Sequence, residues 1–443
     1  MPAPNIVMDN IKNFNVKEIF ELGLKNHKEN KFQEALNYYS KLIENDVYKV
    51  IAYYNIGLIN EKLGHNELAK KNYQEAIKFN PSFIQPYNNL GILFQKQGQS
   101  QEAIEYFKKV IDIDYKNISG YNNLGLVYAS LGKYDDALEN YFKTLNFENK
   151  NIVAIKSILF LLTYYIPKKD HVIIRANNEI RNFQNKYKFS ELLKTENLKA
   201  ILNNSFKIIN NLSLNINELK FSETQAYRRN SIDLNCEYQH DVFNSSNIIP
   251  EFCFSCFKIQ IEPSNVLDLI RLFFIFDNLK LTHNNQRKCM VEFRNNVSGN
   301  YKAMIYCSST EEAKNIIDQI NPTLKEHIKI KLSIKRGCSE FYNSFPNFKE
   351  IDELDKNYMV YDSDWKKIEE NMNIKKNYNK IKLSNSVPGL SIADFLIIIQ
   401  WLNYARKIND STYKDIDIDF FNSEFIDYKL SNQVELRKKQ FII

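Results

Sequence analysis

Two units of different fold class are predicted along the 443-residue chain: an α-helical solenoid of four hairpins over residues 16–151, and an α+β domain over residues 226–345. Three observations carry this prediction. Small and aromatic residues recur in phase every 34 residues through the first third of the chain. Beyond Phe252, alternating runs and apolar runs of helical period follow in the order β-α-β-β-α-β. Near the C-terminus, a capping box at Ser391 and Asp394 opens a helix that is apolar around most of its circumference.

The repeat comes first in the chain. Gly23, Gly57, Gly91 and Gly125 are in phase, as are Ala35, Ala69, Ala103 and Ala137, and Tyr39, Tyr73, Phe107 and Tyr141. Glycine and alanine let two antiparallel helices cross closely, and the aromatic fills the groove beside them. Gly64, Gly98 and Gly132 end the first helix of three units, where a left-handed residue is wanted. A single hairpin cannot bury its apolar face, so at least three must stack into a superhelix with a concave side. The units fall at 16–49, 50–83, 84–117 and 118–151, after an N-terminal extension of residues 1–15.

Tyr53-x2-Ile56-Gly57, Tyr87-x2-Leu90-Gly91 and Tyr121-x2-Leu124-Gly125 resemble the aromatic-x-x-Leu-Gly signature of the tetratricopeptide repeat family. The resemblance covers about a third of the chain and implies a groove that holds a protein or peptide partner. Repeat one departs from the pattern at Asn26 and Asn30, and the closing proline survives only as Pro81, so repeat one is expected to be a looser capping unit. Ile152–Ile166 starts another helix without the Gly/Ala signature. Residues 152–225 are therefore expected to be a helical cap and linker.

Asn55, Asn89 and Asn123 precede the Ile-Gly or Leu-Gly pairs of the last three repeats, which places them in one row on the first helices. A carboxamide offers both donor and acceptor to a peptide backbone. The row resembles the asparagine ladder of O-linked N-acetylglucosamine transferases, which implies backbone capture of an extended segment. The competing reading is a row of solvated positions in an Asn-rich chain. The basic clamp by which other tetratricopeptide proteins hold chaperone tails is not expected, because Gln85 and Asn89 occupy matching positions.

In the second unit FKIQIEP (257–263) alternates as a strand, and Ser264–Leu279 reads as an apolar helix opened by Ser264. RKCMVEFR (287–294) and NYKAMIYCS (300–308) flank a turn, Thr310–Leu324 is a second helix, and residues 328–337 form a last strand. This order is the ferredoxin-like split βαβ, a fold that hosts many activities. The third strand, from Gly299 to Tyr306 and followed by SSTEEA, resembles the RNA-recognition motif, whose sheet stacks bases on aromatics. Ala303 stands where a stacking aromatic is wanted, so RNA is a possible but disfavoured partner.

Cys236-x3-His240-x12-Cys253-x2-Cys256 supplies one imidazole and three thiols, a donor set that suits tetrahedral zinc. Against it, FCFSCFKIQI reads as one continuous strand, which would point Cys253 and Cys256 to opposite faces. Buried core thiols are the competing reading, and Cys289, Cys307 and Cys338 are expected to be such thiols. Glu262, Glu292, Arg294, Arg336 and Glu340 suit either a polar pocket or the solvated side of the sheet. No glycine-rich phosphate loop, nucleophile elbow or His-Glu-x-x-His motif occurs, so no reaction is fixed.

After Tyr342 the chain is acidic and aromatic up to the helix Ile392–Ile408, and residues 346–443 are expected to form a helical segment and tail. Charge adds little. Residues 1–150 hold 18 Lys/Arg and 18 Asp/Glu, so the net +6 lies in the remainder without a clustered basic stripe. Apolar stretches such as Ile158–Ile166 and Phe395–Leu402 fall short of the roughly 20 residues that span a bilayer. The N-terminus lacks the pattern of a secretory leader, and six cysteines make no disulfide framework. The expectation is a cytoplasmic scaffold protein binding protein or peptide through the groove. The alternatives are a solenoid-linked, transferase-like enzyme or an RNA-binding protein acting through residues 226–345.

Overall fold

The computed structural model describes residues 16–212, 222–228, 236–283, 285–294, 297–328, 330–372 and 385–416, together with Ile418 and residues 427–429. The expected N-terminal extension and most of the C-terminal tail lie outside the described residues. The chain divides into two units at Asn149 and Lys150.

In the first unit eight helices pair into four hairpins: Val16–Lys28 with Phe32–Leu42, Lys49–Lys62 with Asn66–Phe79, Ile84–Lys96 with Ser100–Ile113, and Ile118–Ser130 with Tyr134–Phe147. All four turns are built alike. Asn30, Gly64, Gly98 and Gly132 sit at φ values of 57°, 78°, 78° and 73°. The next residue then returns its N–H to a carbonyl five positions earlier: Lys31 to Asn26, His65 to Asn60, Gln99 to Phe94 and Lys133 to Tyr128, at 2.8–2.9 Å. This closure consumes the orphan carbonyls at the helix end. Asparagine is the side chain that tolerates left-handed backbone best after glycine, so Asn30 makes the same turn as the glycines.

Helix crossing depends on the in-phase residues. A Cβ added to Gly23, Gly57, Gly91 or Gly125 would come within 2.5–2.8 Å of the ring of Tyr39, Tyr73, Phe107 or Tyr141, always sixteen positions later. Ala35, Ala69, Ala103 and Ala137 are fully buried alongside.

The second unit is organised on a five-stranded antiparallel sheet. Its strands are β1 (Gln225–Arg228), β2 (Phe257–Pro263), β3 (Arg287–Val291), β4 (Tyr301–Cys307) and β5 (Ile330–Arg336), in the order β1-β3-β4-β2-β5. Val266–Asn278 connects β2 to β3, and Thr310–His327 connects β4 to β5. The registers Ile259↔Ile305, Ile261↔Ala303 and Cys289↔Ala303 align one apolar face, whose members are fully or almost fully buried. Ile392–Lys407 is buried along nearly its whole length, and Ser391 and Asp394 form the expected capping box.

Several local expectations are corrected. The helix after β2 is capped by Asn265, whose side chain accepts from the Asp268 N–H, and not by Ser264. FCFSC (252–256) is not strand: Glu251–Phe254 is a helical turn behind Pro250, and β2 begins only at Phe257. The edge strand β1 lies in the stretch 214–235, which reads as extended in the sequence but without a place in the sheet. Ile152–Tyr164, expected to close the solenoid, falls in the second unit and packs on Ile392–Lys407.

A buried charge cluster ties these layers together. Arg228 on β1 is 1% exposed, with Nε 2.8 Å from Asp277 and Nη2 2.8 Å from Asp394, and its guanidinium lies 4.1 Å from the Phe273 ring centroid. Asp277 also accepts from the Gly389 N–H, Gln184 from Leu390 and Asn177 from Ile392. The start of the last helix is thereby pinned by side chains from three distant segments.

Candidate functional site

The asparagine row lies along the first helices of the last three hairpins, and its members differ in environment. Asn123 Nδ2 donates to Asn88 Oδ1 at 2.8 Å, and Asn89 Nδ2 lies 3.3 Å and 3.5 Å from the hydroxyls of Tyr73 and Tyr54. Each amide thus reaches back 35 residues to the preceding repeat. The position 35 residues before Asn55 is Phe20, which offers no side-chain acceptor. Asn55 is accordingly 6% exposed, with a buried amide nitrogen that finds no partner. The Tyr73 hydroxyl continues the network by donating to Glu61, which also pairs with Lys96 at 2.9 Å.

The donors of Asn89 and Asn123 are therefore turned to neighbouring repeats, while their carboxamide oxygens accept no bond among the described residues. Both residues are half-buried. Beside them run Leu58, Ile92 and Leu126, again 34 residues apart, the first two half-buried and Leu126 exposed. The inner helices thus carry a row of acceptors next to an apolar row.

Of the four sequence-selected metal donors, His240 is the one that enters a group of close ligand atoms among the described residues. The ligand atoms of His240 meet those of Cys338 and Glu340, all within 4.8 Å of one another. Cys253 is buried in a small apolar core against which Cys338 packs. Cys236 lies one turn before His240 on the same helix and is exposed. Cys256 is placed differently. It stands just before β2 and packs its sulfur against Gly337, where an added Cβ would come within 2.4 Å of Sγ.

Cys338 and Glu340 were not among the selected donors, because nearly a hundred residues separate them from His240. Their only sequence signal was the polar sequence Arg-Gly-Cys-Ser-Glu at the end of β5. The nearness of the two thiols raises Cys253 and lowers Cys338, with burial pushing Cys253 further up. Arg336, two residues before Cys338, is 1% exposed and has four aromatic rings, those of Phe254, Phe257, Phe348 and Tyr358, within 4.7–5.6 Å of its guanidinium.

The sheet face opposite the helices carries Lys258, Gln260, Lys302 and Met304, each less than a tenth exposed. Lys258 Nζ donates to the Gly337 carbonyl at 2.7 Å, and Lys302 pairs with Glu262 at 2.9 Å. Ala303 points the other way, into the core. Among the described residues of β2 and β4, Tyr306 is the one aromatic on that face, and it is half-buried. The base-stacking reading has no exposed platform here.

Three family models match the first unit: a TPR repeat over residues 62–98, and tetratricopeptide repeats over residues 84–114 and 117–145. Residues 62–145 are therefore tetratricopeptide repeats. No curated protein matches the chain. Among solved structures the chain is similar to a crystal structure of MamA, with 28% identity over 32% of this chain and 84% of that one, at a TM-score of 0.30. It is also similar to MamA from residue 41 onward from Desulfovibrio magneticus RS-1, with 20% identity, 30% and 76% coverage and a TM-score of 0.28. A further similar structure is the first TPR domain of Spaghetti (RPAP3) bound to the HSP90 peptide SRMEEVD, with 22% identity, 26% and 93% coverage and a TM-score of 0.25.

Proposed function

We propose that the tetratricopeptide array is a receptor for an extended peptide segment of a protein partner, and that the protein acts as a scaffold. The observation that carries this reading is the paired arrangement on the inner helices. The oxygens of Asn89 and Asn123 stand ready for backbone N–H groups of a ligand, and Leu58, Ile92 and Leu126 run beside them for its apolar side chains. A carboxamide held by one neighbour is already oriented, so less rotamer freedom is lost when a ligand docks. Asn55, buried and without such an anchor, belongs to the row by position but contributes least.

The second unit is read as a split βαβ of ferredoxin-like type with an added edge strand. Without β1, the strand order β3-β4-β2-β5 and the two connecting helices support that reading. A cytoplasmic location fits the six cysteines, none of which is in a disulfide. Among the described residues no helix is long and apolar enough to cross a membrane.

The test is selection from a displayed library of disordered peptides with the full-length protein, followed by fluorescence anisotropy on the selected peptides. The double variant N89A/N123A is expected to lose at least tenfold in affinity while circular dichroism still shows a folded array. Equal binding by wild type and variant, or the selection of no peptide at all, would overturn the proposal.

A further inference from the structure

We propose that the second unit binds one Zn²⁺ through His240, Cys338, Cys253 and Glu340, a donor set different from the one that sequence spacing suggests. Three independent segments converge there: the helix Cys236–Ser246, the turn Glu251–Phe254, and the residues that follow β5. His240, Cys338 and Glu340 already hold their ligand atoms within 4.8 Å of one another, and Cys253 is buried in the small core against which Cys338 packs. Tetrahedral zinc with bonds of about 2.0–2.3 Å keeps its donors about 3.3–3.8 Å apart, which side-chain rotation can supply from this arrangement. Two soft thiolates and an imidazole select zinc over calcium or magnesium, which prefer oxygen.

The surroundings give the ion a structural purpose. Around Cys253 and Cys338 lies a small core separate from the main sheet core, made by Ile249, Phe254, Phe341 and Phe348 with Phe243, Phe345, Tyr361 and Trp365 at its margin. Between β5 and residue 372 its regular structure amounts to two 3₁₀ turns and the helix Ser363–Asn371. So little regular structure around so small a core needs a cross-link, and metal binding supplies folding free energy where a core cannot. Lys258, whose Nζ donates to the Gly337 carbonyl at 2.7 Å, stands beside Cys338 and offsets part of the negative charge that two thiolates and a carboxylate would bring together. Arg294, whose guanidinium lies 3.9 Å from Glu340, competes for that carboxylate and makes Glu340 the most exchangeable of the four donors.

The experiment uses the full-length protein purified without chelator. Its metal content is measured by plasma mass spectrometry, and cobalt is then substituted to look for thiolate-to-metal charge-transfer absorption. About one zinc per chain is expected, falling at least fivefold in H240A and C338S and unchanged in C256S. Because a variant can lose metal simply by misfolding, maleimide labelling of the wild type is read site by site. Cys253 and Cys338 should be protected until a chelator is added, whereas Cys256 should label equally with and without it. A protein that carries no zinc and shows no cobalt–thiolate band overturns the proposal. So does loss of metal in C256S with retention in C338S, and so does a Cys253–Cys338 disulfide in the protein as isolated.

Discussion

The ring of Phe107 lies over the Cα of Gly91 so closely that a Cβ there would be 2.5 Å from Cε1. Two effects oppose each other in Gly91→Ala. Helix propensity favours alanine by about 1 kcal/mol, whereas overpacking a filled core costs about 1–3 kcal/mol. Phe107 is fully buried and has nowhere to move, so the clash wins. A net loss of about 1 kcal/mol is expected in urea unfolding, with partial recovery in G91A/F107L. Additive losses in the double variant would contradict the contact.

The same aromatic position divides the repeats by their hydroxyls. Tyr73 donates to Glu61 and accepts from Asn89, whereas the Tyr39 hydroxyl is buried without a partner. Burial alone pushes the Tyr39 phenol up to about 12. Removing an unsatisfied hydroxyl relieves a desolvation cost, whereas removing a bonded one strands its neighbours. Tyr39→Phe should therefore be neutral or stabilising by up to about 1 kcal/mol, and Tyr73→Phe should cost about 1–2 kcal/mol. Phe107 already shows that the site accepts a bare ring.

Arg228 holds two carboxylates in the interior. Replacing it with methionine leaves Asp277 and Asp394 buried without their cation, a loss of about 3–5 kcal/mol. Neutralising the acids together with it, in R228M/D277N/D394N, should recover part of that loss. Thermal denaturation of the three proteins checks the order, and a triple variant no better than R228M would show that the charges are not the cause.

His171 caps the helix Val172–Gln184 with Nδ1, which accepts from the Ile173 N–H at 3.3 Å. Burial, aided by Arg175, holds this imidazole below its ordinary value. The unfolded chain consequently takes up the proton first, and the stability present above the unfolded pKa is lost as pH falls through it. Protonation also removes the lone pair that makes the cap. Melting temperatures from pH 8 to pH 5 should decline less steeply in His171→Asn, which keeps a cap acceptor that does not titrate. Parallel profiles would count against the assignment.

The array was readable because its decisive contacts recur at one spacing. Gly57 meets Tyr73 and Gly64 turns the chain within a single hairpin, so periodic residues are enough to place them. The strands β2, β4 and β5 were readable from alternation, whereas β1, in a stretch read only as extended, is four residues at an edge and alternates too briefly to be placed in the sheet. Pro250 was the available sign that FCFSCF starts with a helical turn. An unbroken apolar run concealed it, and with it the distinct settings of Cys253 and Cys256. The meeting of His240 with Cys338 depends on how the chain returns after β5, and no local spacing encodes that return.

The identical turns at Asn30, Gly64, Gly98 and Gly132 give each 34-residue period its own closure, while shared apolar clusters such as Ala69, Tyr73, Leu90 and Leu93 and lateral bonds such as Asn123 to Asn88 join one to the next. Such a design is open to duplication or excision. Removing residues 84–117 as a block would leave every remaining hairpin with its own glycine, ring and turn, and would bring Asn123 into the place Asn89 held beside Tyr54 and Tyr73. The array can thus change in length by whole hairpins, each step adding or subtracting one carboxamide and one apolar position without redesign of the rest.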